Sequence, residues 1–390
     1  MTAFTGLVSD PSTAEPQTPA RSGVFLAVRK VDGAEFDRIV SGFDGVCKEQ
    51  LYRFAAIRWP GVLLEPRLFE LDRRVVGGVL IMVQKLPLVL GQIAIAKWGP
   101  MQANSRARNA AELYAGMIEA LVGEYAEARG MMLSILPHAS VTPQNEQYRM
   151  LRSRGFRPGA ALPYPDRYLV DLRLSDADQR ASFDQTWRRQ LKRAEKAELV
   201  FERAGPGQLG EFKSLYAAMT DRKQFRDHSA FETIDSLMEL DEPARPELFF
   251  VRHAGEVVAG AIIFKAGERA AYLYGATNDQ ALPLRAGYFL HWQVIRWLRD
   301  HTRAHWYDLG GTDGYSGLHQ FKKGMVGERG VIRPLPPVLN YATRPMARWI
   351  GTAALGAREV VNDLRRQLDA RHPSGVHPDL PRETLDDSRL

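Results

Sequence analysis

In the stretch GLHQFKKGMVGE, residues 317–328, two adjacent lysines, Lys322 and Lys323, follow a phenylalanine and precede a glycine. Phe321 can anchor such a segment in a core while Gly324 permits a turn, so one ammonium can face a cleft and the other water. An ammonium held in a cleft stabilises negative charge developing on a reacting oxygen; two exposed lysines at a strand end are the alternative. Asp308, in WYDLGGTDGYSG, ends an aromatic-rich stretch just before a glycine-rich loop. A carboxylate there can position or deprotonate a reacting group, or cap the loop by accepting backbone N–H bonds. Gly310, Gly311, Gly314 and Gly317 let the main chain approach a bulky ligand, with Tyr274 and Tyr315 as its contacts or as packed aromatics. Arg222 and Arg226 lie one turn apart at the end of the helical stretch LGEFKSLYAAMTDRKQFRDH. Their planar forks can converge on one phosphate or carboxylate, or complement the dipole at the helix C-terminus.

The elements that would hold these groups repeat. LFELDRRVVGGVLIMV (Leu68 to Val83) and LFFVRHAGEVVAGAIIF (Leu248 to Phe264) both run apolar stretch, polar turn, Val-Val, small residue, apolar strand. The turn residues fall where hairpins need them. Each copy leads into a further strand, a long helical pattern and another strand: GQIAIAKWGP, Ala110 to Ala128 and GMMLSILPH in the first, AAYLYGAT, Tyr288 to Asp300 and HWYDLGG in the second. The first copy closes with a helix stopped by Gly155 and a return strand over Tyr168 to Leu172. The reading is an α+β fold of two tandem units, each a mixed or antiparallel sheet flanked by helices. Between them, Phe183, Trp187, Leu191 and Ala194 mark one face of a helix whose other faces carry Arg188, Arg189, Lys192, Arg193 and Lys196. That basic face either meets solvent or binds an anionic ligand.

Length and composition agree: 390 residues, 45% hydrophobic and 25% charged, suffice for two cores. The net charge of +6, from 52 basic and 46 acidic residues, draws acidic partners only weakly. The single cysteine, Cys47, offers neither an internal disulfide nor a cysteine metal cluster, so no metal and a reducing, cytoplasmic setting are expected. Residues 1–22 read as a disordered leader rather than a signal peptide. The most apolar window, Leu86 to Ala96, is about half the length of a membrane-spanning helix, so no span is expected. The units are placed at 23–175 and 176–340, followed by a basic amphipathic helix at 341–371 and a disordered tail at 372–390. That helix either docks on the second domain or lies on an anionic membrane, which would make the protein peripheral at the inner membrane face.

RRQLKRAEK, TDRKQF, YLYGAT followed by GYFLHWQVIRWLRD, YDLGG and GLHQFKKGMVGE resemble, in this order, the Fem family of peptidoglycan-bridge aminoacyltransferases and its GNAT-like relatives. The match runs from Trp187 to Glu328, with a looser one from about Leu68 to Leu172. The resemblance implies a twin GNAT-like fold and transfer of an aminoacyl group from aminoacyl-tRNA to an amine of a peptidoglycan precursor, nucleotide- or lipid-linked. Relatives closer to ordinary acyltransferases are expected to use acyl-CoA; either donor is a co-substrate, and no tightly bound cofactor is expected. Lys322 matches the lysine after the family's phenylalanine, which implies that it stabilises the oxyanion, with Lys323 its solvated neighbour at the substrate-binding edge. Asp308 would act on the amine, and Arg222 would hold an acceptor phosphate or carboxylate.

Two stretches depart from the pattern. In LRAGYF, Arg285 stands two positions before Gly287, and Phe289 falls where a coenzyme A loop has a small residue, which favours the tRNA donor. In KWGPM, Lys97 to Met101, Trp98 replaces the family's arginine, and Gln102 and Ala103 follow where some members have an aspartate. Either the acceptor chemistry differs, or the amine loses its proton to substrate or solvent. An acyl-CoA N-acetyltransferase acting on another amine, a non-catalytic scaffold binding phosphorylated ligands, and an RNA-binding module are the competing readings; the last lacks aromatics interleaved with a basic surface stripe.

Overall fold

Each echoed stretch carries a two-residue turn between apolar runs, and each folds as a hairpin. The computed structural model describes residues 24–86, 91–162, 164–223, 231–312 and 314–353. In chain order the strands are β1 (Ala27–Lys30), β2 (Leu63–Leu71), β3 (Arg74–Lys85), β4 (Gln92–Lys97), β5 (Met101–Gln102), β6 (Met132–Leu136), β7 (Arg157–Pro158) and β8 (Asp166–Asp171). They continue as β9 (Val200–Ala204), β10 (Glu247–His253), β11 (Glu256–Phe264), β12 (Arg269–Thr277), β13 (Trp306–Asp308), β14 (Val331–Pro334) and β15 (Leu339–Tyr341). One sheet has the order β1-β2-β3-β4-β6-β15-β7 with β5 added on β3; the other runs β14-β8-β13-β12-β11-β10-β9.

The repeat extends to backbone detail. The β2–β3 turn places Asp72 and Arg73 at positive φ (49° and 65°), and the β10–β11 turn does the same with Ala254 and Gly255 (49° and 86°). Two consecutive left-handed residues match the twist of the flanking strands, which is why such turns close two-residue hairpins. Both hairpins then slip register at the same place, between Phe69 and Glu70 and between Val251 and Arg252. Each sheet contains one parallel pair, β4 with β6 and β12 with β13. A parallel pair needs a crossover; it is supplied by the helix Ala110–Leu121 with its π-helical extension Val122–Ala128 in one unit, and by Ala286–His301 in the other.

The sheets exchange strands, which corrects the unit limits read from the sequence. β8, placed in the first unit at 23–175, pairs with β13 and β14 in the second sheet. β15, placed at the end of the second unit at 176–340, pairs with β6 and β7 in the first. β13 is only three residues long, and β8 covers the edge it would otherwise leave bare.

Each unit has its own core, and a further apolar cluster joins them: Phe36, Val40 and Phe54 of the first pack in one body with Phe212, Tyr216, Phe250 and Tyr274 of the second. Ion pairs edge this joint, Arg303 Nη1 to Asp44 Oδ1 at 2.9 Å and Arg106 Nε to Glu268 Oε1 at 2.6 Å. The basic helix forms as its spacing predicts, over Gln185–Ala194, with Asp184 accepting from Trp187 N, Trp187, Leu191 and Ala194 buried and its cations exposed. Among the described residues no helix is long and apolar enough to cross a membrane. The leader, the tail and 354–371 of the terminal helix lie outside the described residues. The described turns of that helix, 345–353, rest on the first unit rather than on the second domain, since Gly351 abuts Met132 and Thr343 Oγ1 donates to Ala126 O at 2.8 Å. Met346 and Trp349 remain exposed there.

Candidate active site

β12 and β13 pair through only three residues, Arg269 with Trp306 to Ala271 with Asp308, after which β12 runs on to Thr277 while β13 ends. In the first unit the corresponding strands stay paired to Lys97 and Leu136. The second sheet therefore opens where its parallel strands part, the place where parallel sheets present ligand sites. A register slip deepens the opening: Ile262 faces Tyr274 and Ile263 faces Tyr272, so Leu273 is an extra residue in β12. Tyr272 folds its hydroxyl over Gly275, 1.6 Å from where a Cβ would stand, which explains the glycine in YLYGAT.

Beyond Asp308 the chain turns through Gly310, at φ 77°, and enters the helix Ser316–Val326. The sequence reading placed a turn at Gly324; the segment is helical, and Gly324 serves instead to let Asp184 approach, since a Cβ there would lie 2.8 Å from its Oδ2. This helix turns Lys322 inward and Lys323 outward. Lys322 is 6% exposed, its Nζ donates to Gly311 O at 2.5 Å and lies 6.0 Å from the centre of the Tyr272 ring. Phe321 packs beside it against Tyr288 and His291. Burial first, and then the Lys322 ammonium, push His291 down to about 3, so this imidazole is neutral. Its Nδ1 meets the Tyr307 hydroxyl at 3.2 Å.

The next residue, Thr312, lines a pocket of about 380 Å³ together with Tyr164, Tyr168, Gly314, Ser316 and His319 among others. The carbonyls of Asp166 and Tyr164 stand 3.7 and 3.8 Å from the Cβ position of Gly311, and the Tyr168 hydroxyl meets His319 Nδ1 at 2.5 Å. The carbonyl that holds the inward ammonium thus belongs to the residue before Thr312 of the pocket wall.

The other candidates divide. Asp308 is buried; its Oδ2 accepts from Arg167 Nη2 at 3.1 Å and its Oδ1 from Gly310 N at 2.9 Å. Burial alone would raise this carboxyl, but Arg167 and Arg269 outweigh it and hold it below the usual carboxylate range. A carboxylate so held is a weak base, suited to fixing two guanidiniums and the loop rather than to taking a proton. Arg222 pairs with Asp279 and donates to Thr277 O at 3.1 Å, joining its helix to the far end of β12. Arg226 lies outside the described residues. Tyr274 is a core aromatic of the joint between units, edge-on to Tyr216 and Phe231, and Tyr315 stands exposed at the start of the lysine helix. Gln102 donates to Ala110 O at 2.6 Å, so it braces the first unit. Phe289 belongs to the second unit's core, and a Cβ at Gly287 would meet open space, so the bulk of Phe289 does not close the approach to the helix Ala286–His301. Among the described residues no cluster of side chains suits a metal ion.

Residues 181–323 match the acetyltransferase (GNAT) domain family. The fold resembles the crystal structure of FemX, with a TM-score of 0.66 at 16% identity over 81% of this chain and 97% of that one. The chain has the fold of FemX, two GNAT-like units in tandem. The structure of L-PGS from Bacillus licheniformis is also similar, with a TM-score of 0.50 and 15% identity over 83% of this chain and 96% of that one. So is a conserved protein of unknown function from Bacteroides thetaiotaomicron, with a TM-score of 0.50 and 11% identity over 81% and 98%. No curated protein matches. The family match in the GNAT-like unit covers most of the run in which the Fem motifs were read, Trp187 to Glu328, and it contains the parting strands and Lys322.

The neutral His291 gives this unit an acid weakness. An unfolded imidazole has a value near 6.5, against about 3 in the fold, so the unfolded chain takes up the proton first. Stability is full above about pH 6.5 and falls as pH drops toward 3, by roughly 1.4 kcal/mol per pH unit for this one group. Denaturant unfolding of the wild type and of His291→Gln between pH 6.5 and 4 is expected to show a slope shallower by about that amount in the variant; equal slopes would refute the assignment.

Proposed function

We propose that the protein is an acyltransferase that moves an activated acyl group, an aminoacyl group carried by tRNA, onto an amine of a peptidoglycan-type precursor. The observation that supports it is the buried ammonium of Lys322, held by the Gly311 carbonyl in the loop that follows β13, where β12 and β13 part. In such a transfer the amine nitrogen attacks the ester carbonyl, the C–N bond forms and the ester C–O bond breaks. Negative charge grows on the carbonyl oxygen in between, and a pre-oriented cation stabilises that state more than the ground state. The departing ribose oxygen accepts a proton that the amine releases through solvent or substrate, because neither Asp308 nor Gln102 is disposed to take it.

One observation favours a second donor. A Cβ at Gly287 would meet open space in the first turn of the helix Ala286–His301, and a helix start favours an anionic group such as the pyrophosphate of an acyl-CoA donor. Incubating the protein with charged tRNAs or acyl-CoAs and a nucleotide-linked cell-wall precursor, then reading product masses, distinguishes the two. An aminoacyl mass increment appearing only with tRNA is expected; an increment only from acyl-CoA would replace the donor, and no increment from either would end the reading.

A further inference from the structure

The helix Gln185–Ala194 carries cations that the transfer step does not use. Between residues 188 and 196 the sequence sets Arg188, Arg189, Lys192, Arg193 and Lys196 against one acid, Glu195. The whole chain is nearly balanced, 52 basic residues to 46 acidic, so this density is local. Residues four apart share a helix face. Arg188 therefore lies in line with Lys192 and Arg189 with Arg193, and Lys196, on the turn that follows, extends the first row. At 1.5 Å per residue the stripe is roughly 12 Å long. All five cations are exposed, while Trp187, Leu191 and Ala194 on the opposite face are buried.

The carboxylates around the stripe are engaged elsewhere. Glu195 pairs with Arg180, Asp176 with Arg296 and Arg299, and Asp178 accepts from the Ser175 hydroxyl; one further acid, Glu198, follows the stripe. Among the described residues Arg189, Lys192, Arg193 and Lys196 form no ion pair. Arg188 is steered by the main chain, its Nη1 donating to Ala181 O at 2.7 Å, and Arg180 stands over the Trp292 ring at 4.3 Å. With Lys192, Leu191 and Glu195 these two arginines line a surface hollow of about 310 Å³. Three cations and one carboxylate leave an excess positive charge there, which suits a phosphodiester. The stripe is also fixed to the helix that aims Lys322. Beneath it Trp187 packs on Tyr288 and on Phe321, with ring centres 5.2 and 6.2 Å apart, and Asp184 at the helix start abuts Gly324. Its cations face solvent, so what they recognise is a body larger than the transferred group. A membrane surface fits less well: helices that lie on bilayers insert an apolar face beside their cations, and the apolar face of this one is inside the core. A row of phosphates asks only for spaced cations.

We propose that Arg188, Arg189, Lys192, Arg193 and Lys196 dock the sugar–phosphate backbone of RNA, the body of the donor whose acylated end reaches the opening between β12 and β13. This rests on the reading of a tRNA-borne donor. Phosphate contacts of this kind position a nucleic acid without reading its bases, so the stripe orients any charged tRNA and leaves the choice of aminoacyl group to the site itself.

The test separates docking from turnover. Binding of uncharged bulk tRNA to the full-length protein is followed by fluorescence anisotropy across a salt series. The logarithm of affinity should fall against the logarithm of salt concentration with a slope of about −3 to −5. Lys192→Gln/Arg193→Gln is expected to weaken binding about tenfold and to make the slope shallower by roughly 1.5 to 2. Lys30→Gln/Arg74→Gln removes the same charge from exposed positions of the first unit and should leave affinity within about twofold of wild type. Lys322→Met should bind as wild type does. Equal losses in the two double variants would reduce the effect to net charge and overturn the proposal. Wild-type protein that does not bind tRNA overturns it without need of any variant, and its capture by phosphatidylglycerol vesicles instead would assign the stripe to a membrane. With charged tRNA in the mass assay, the stripe variant should show KM raised about tenfold and kcat kept. Binding of tRNA through the stripe without transfer refutes the acyl-transfer reading and leaves the dock standing, whereas transfer with unaltered KM in the stripe variant refutes the dock alone.

Discussion

Lys322→Met is expected to lower kcat for acyl transfer by about 100- to 1,000-fold with little change in KM, the loss typical of removing one oriented donor at a developing oxyanion. Methionine preserves the length of the side chain, so the space beside Tyr272 and Phe321 stays filled while the charge and its bond to Gly311 are lost. Lys322→Arg should not restore the rate: a planar fork cannot take the place of a point charge seated on one carbonyl. Steady-state kinetics with a melting curve on the same preparations decide it. A methionine variant that turns over within about threefold of wild type would remove the ammonium from the mechanism.

The second large effect is structural. Gly327 ends the lysine helix at φ 61° and ψ −158°, a conformation that only glycine adopts without strain, and a Cβ there would lie 2.0 Å from Ser182 O. Ser182 in turn accepts Glu328 N at 2.9 Å on its carbonyl and Arg329 N at 3.1 Å on its hydroxyl. Gly327→Ala must break this clasp as well as strain the backbone, and is expected to cost at least about 3 kcal/mol. Because the same helix aims Lys322, activity should fall with stability. Gly210→Ala is the contrast: the added methyl meets open space near a helix start, and a gain of roughly 0.5–1 kcal/mol is expected. Denaturant unfolding of both variants measures the pair.

The hairpins were legible because their signal is local. Apolar runs around a two-residue turn are spelled out in a dozen consecutive positions, and the Val-Val step that announces each copy marks its register slip. The inward lysine was found by resemblance, but its setting was misread. Gly324 looks like a turn residue in a list of letters; what makes glycine necessary is the approach of Asp184, from an element far away in sequence. The assignment of β8 and β15 was out of reach for a similar reason: short strands carry little pattern of their own, and the partner they choose depends on which sheet has an edge to cover. Asp308 was noticed for its place beside the glycines, yet its role turns on the two arginines around it, which no spacing reveals.

The crossing of β8 and β15 between the sheets sets how this molecule can move and how it can be cut. Each half donates a strip of backbone to the other, so the halves cannot swing apart like jaws without unzipping two hydrogen-bonded seams. Any rearrangement at the candidate site therefore falls to side chains and connecting loops rather than to a hinge between the sheets. A fragment trimmed at the linker near residue 175 would keep β8 with the wrong partner, and neither half is a portable module.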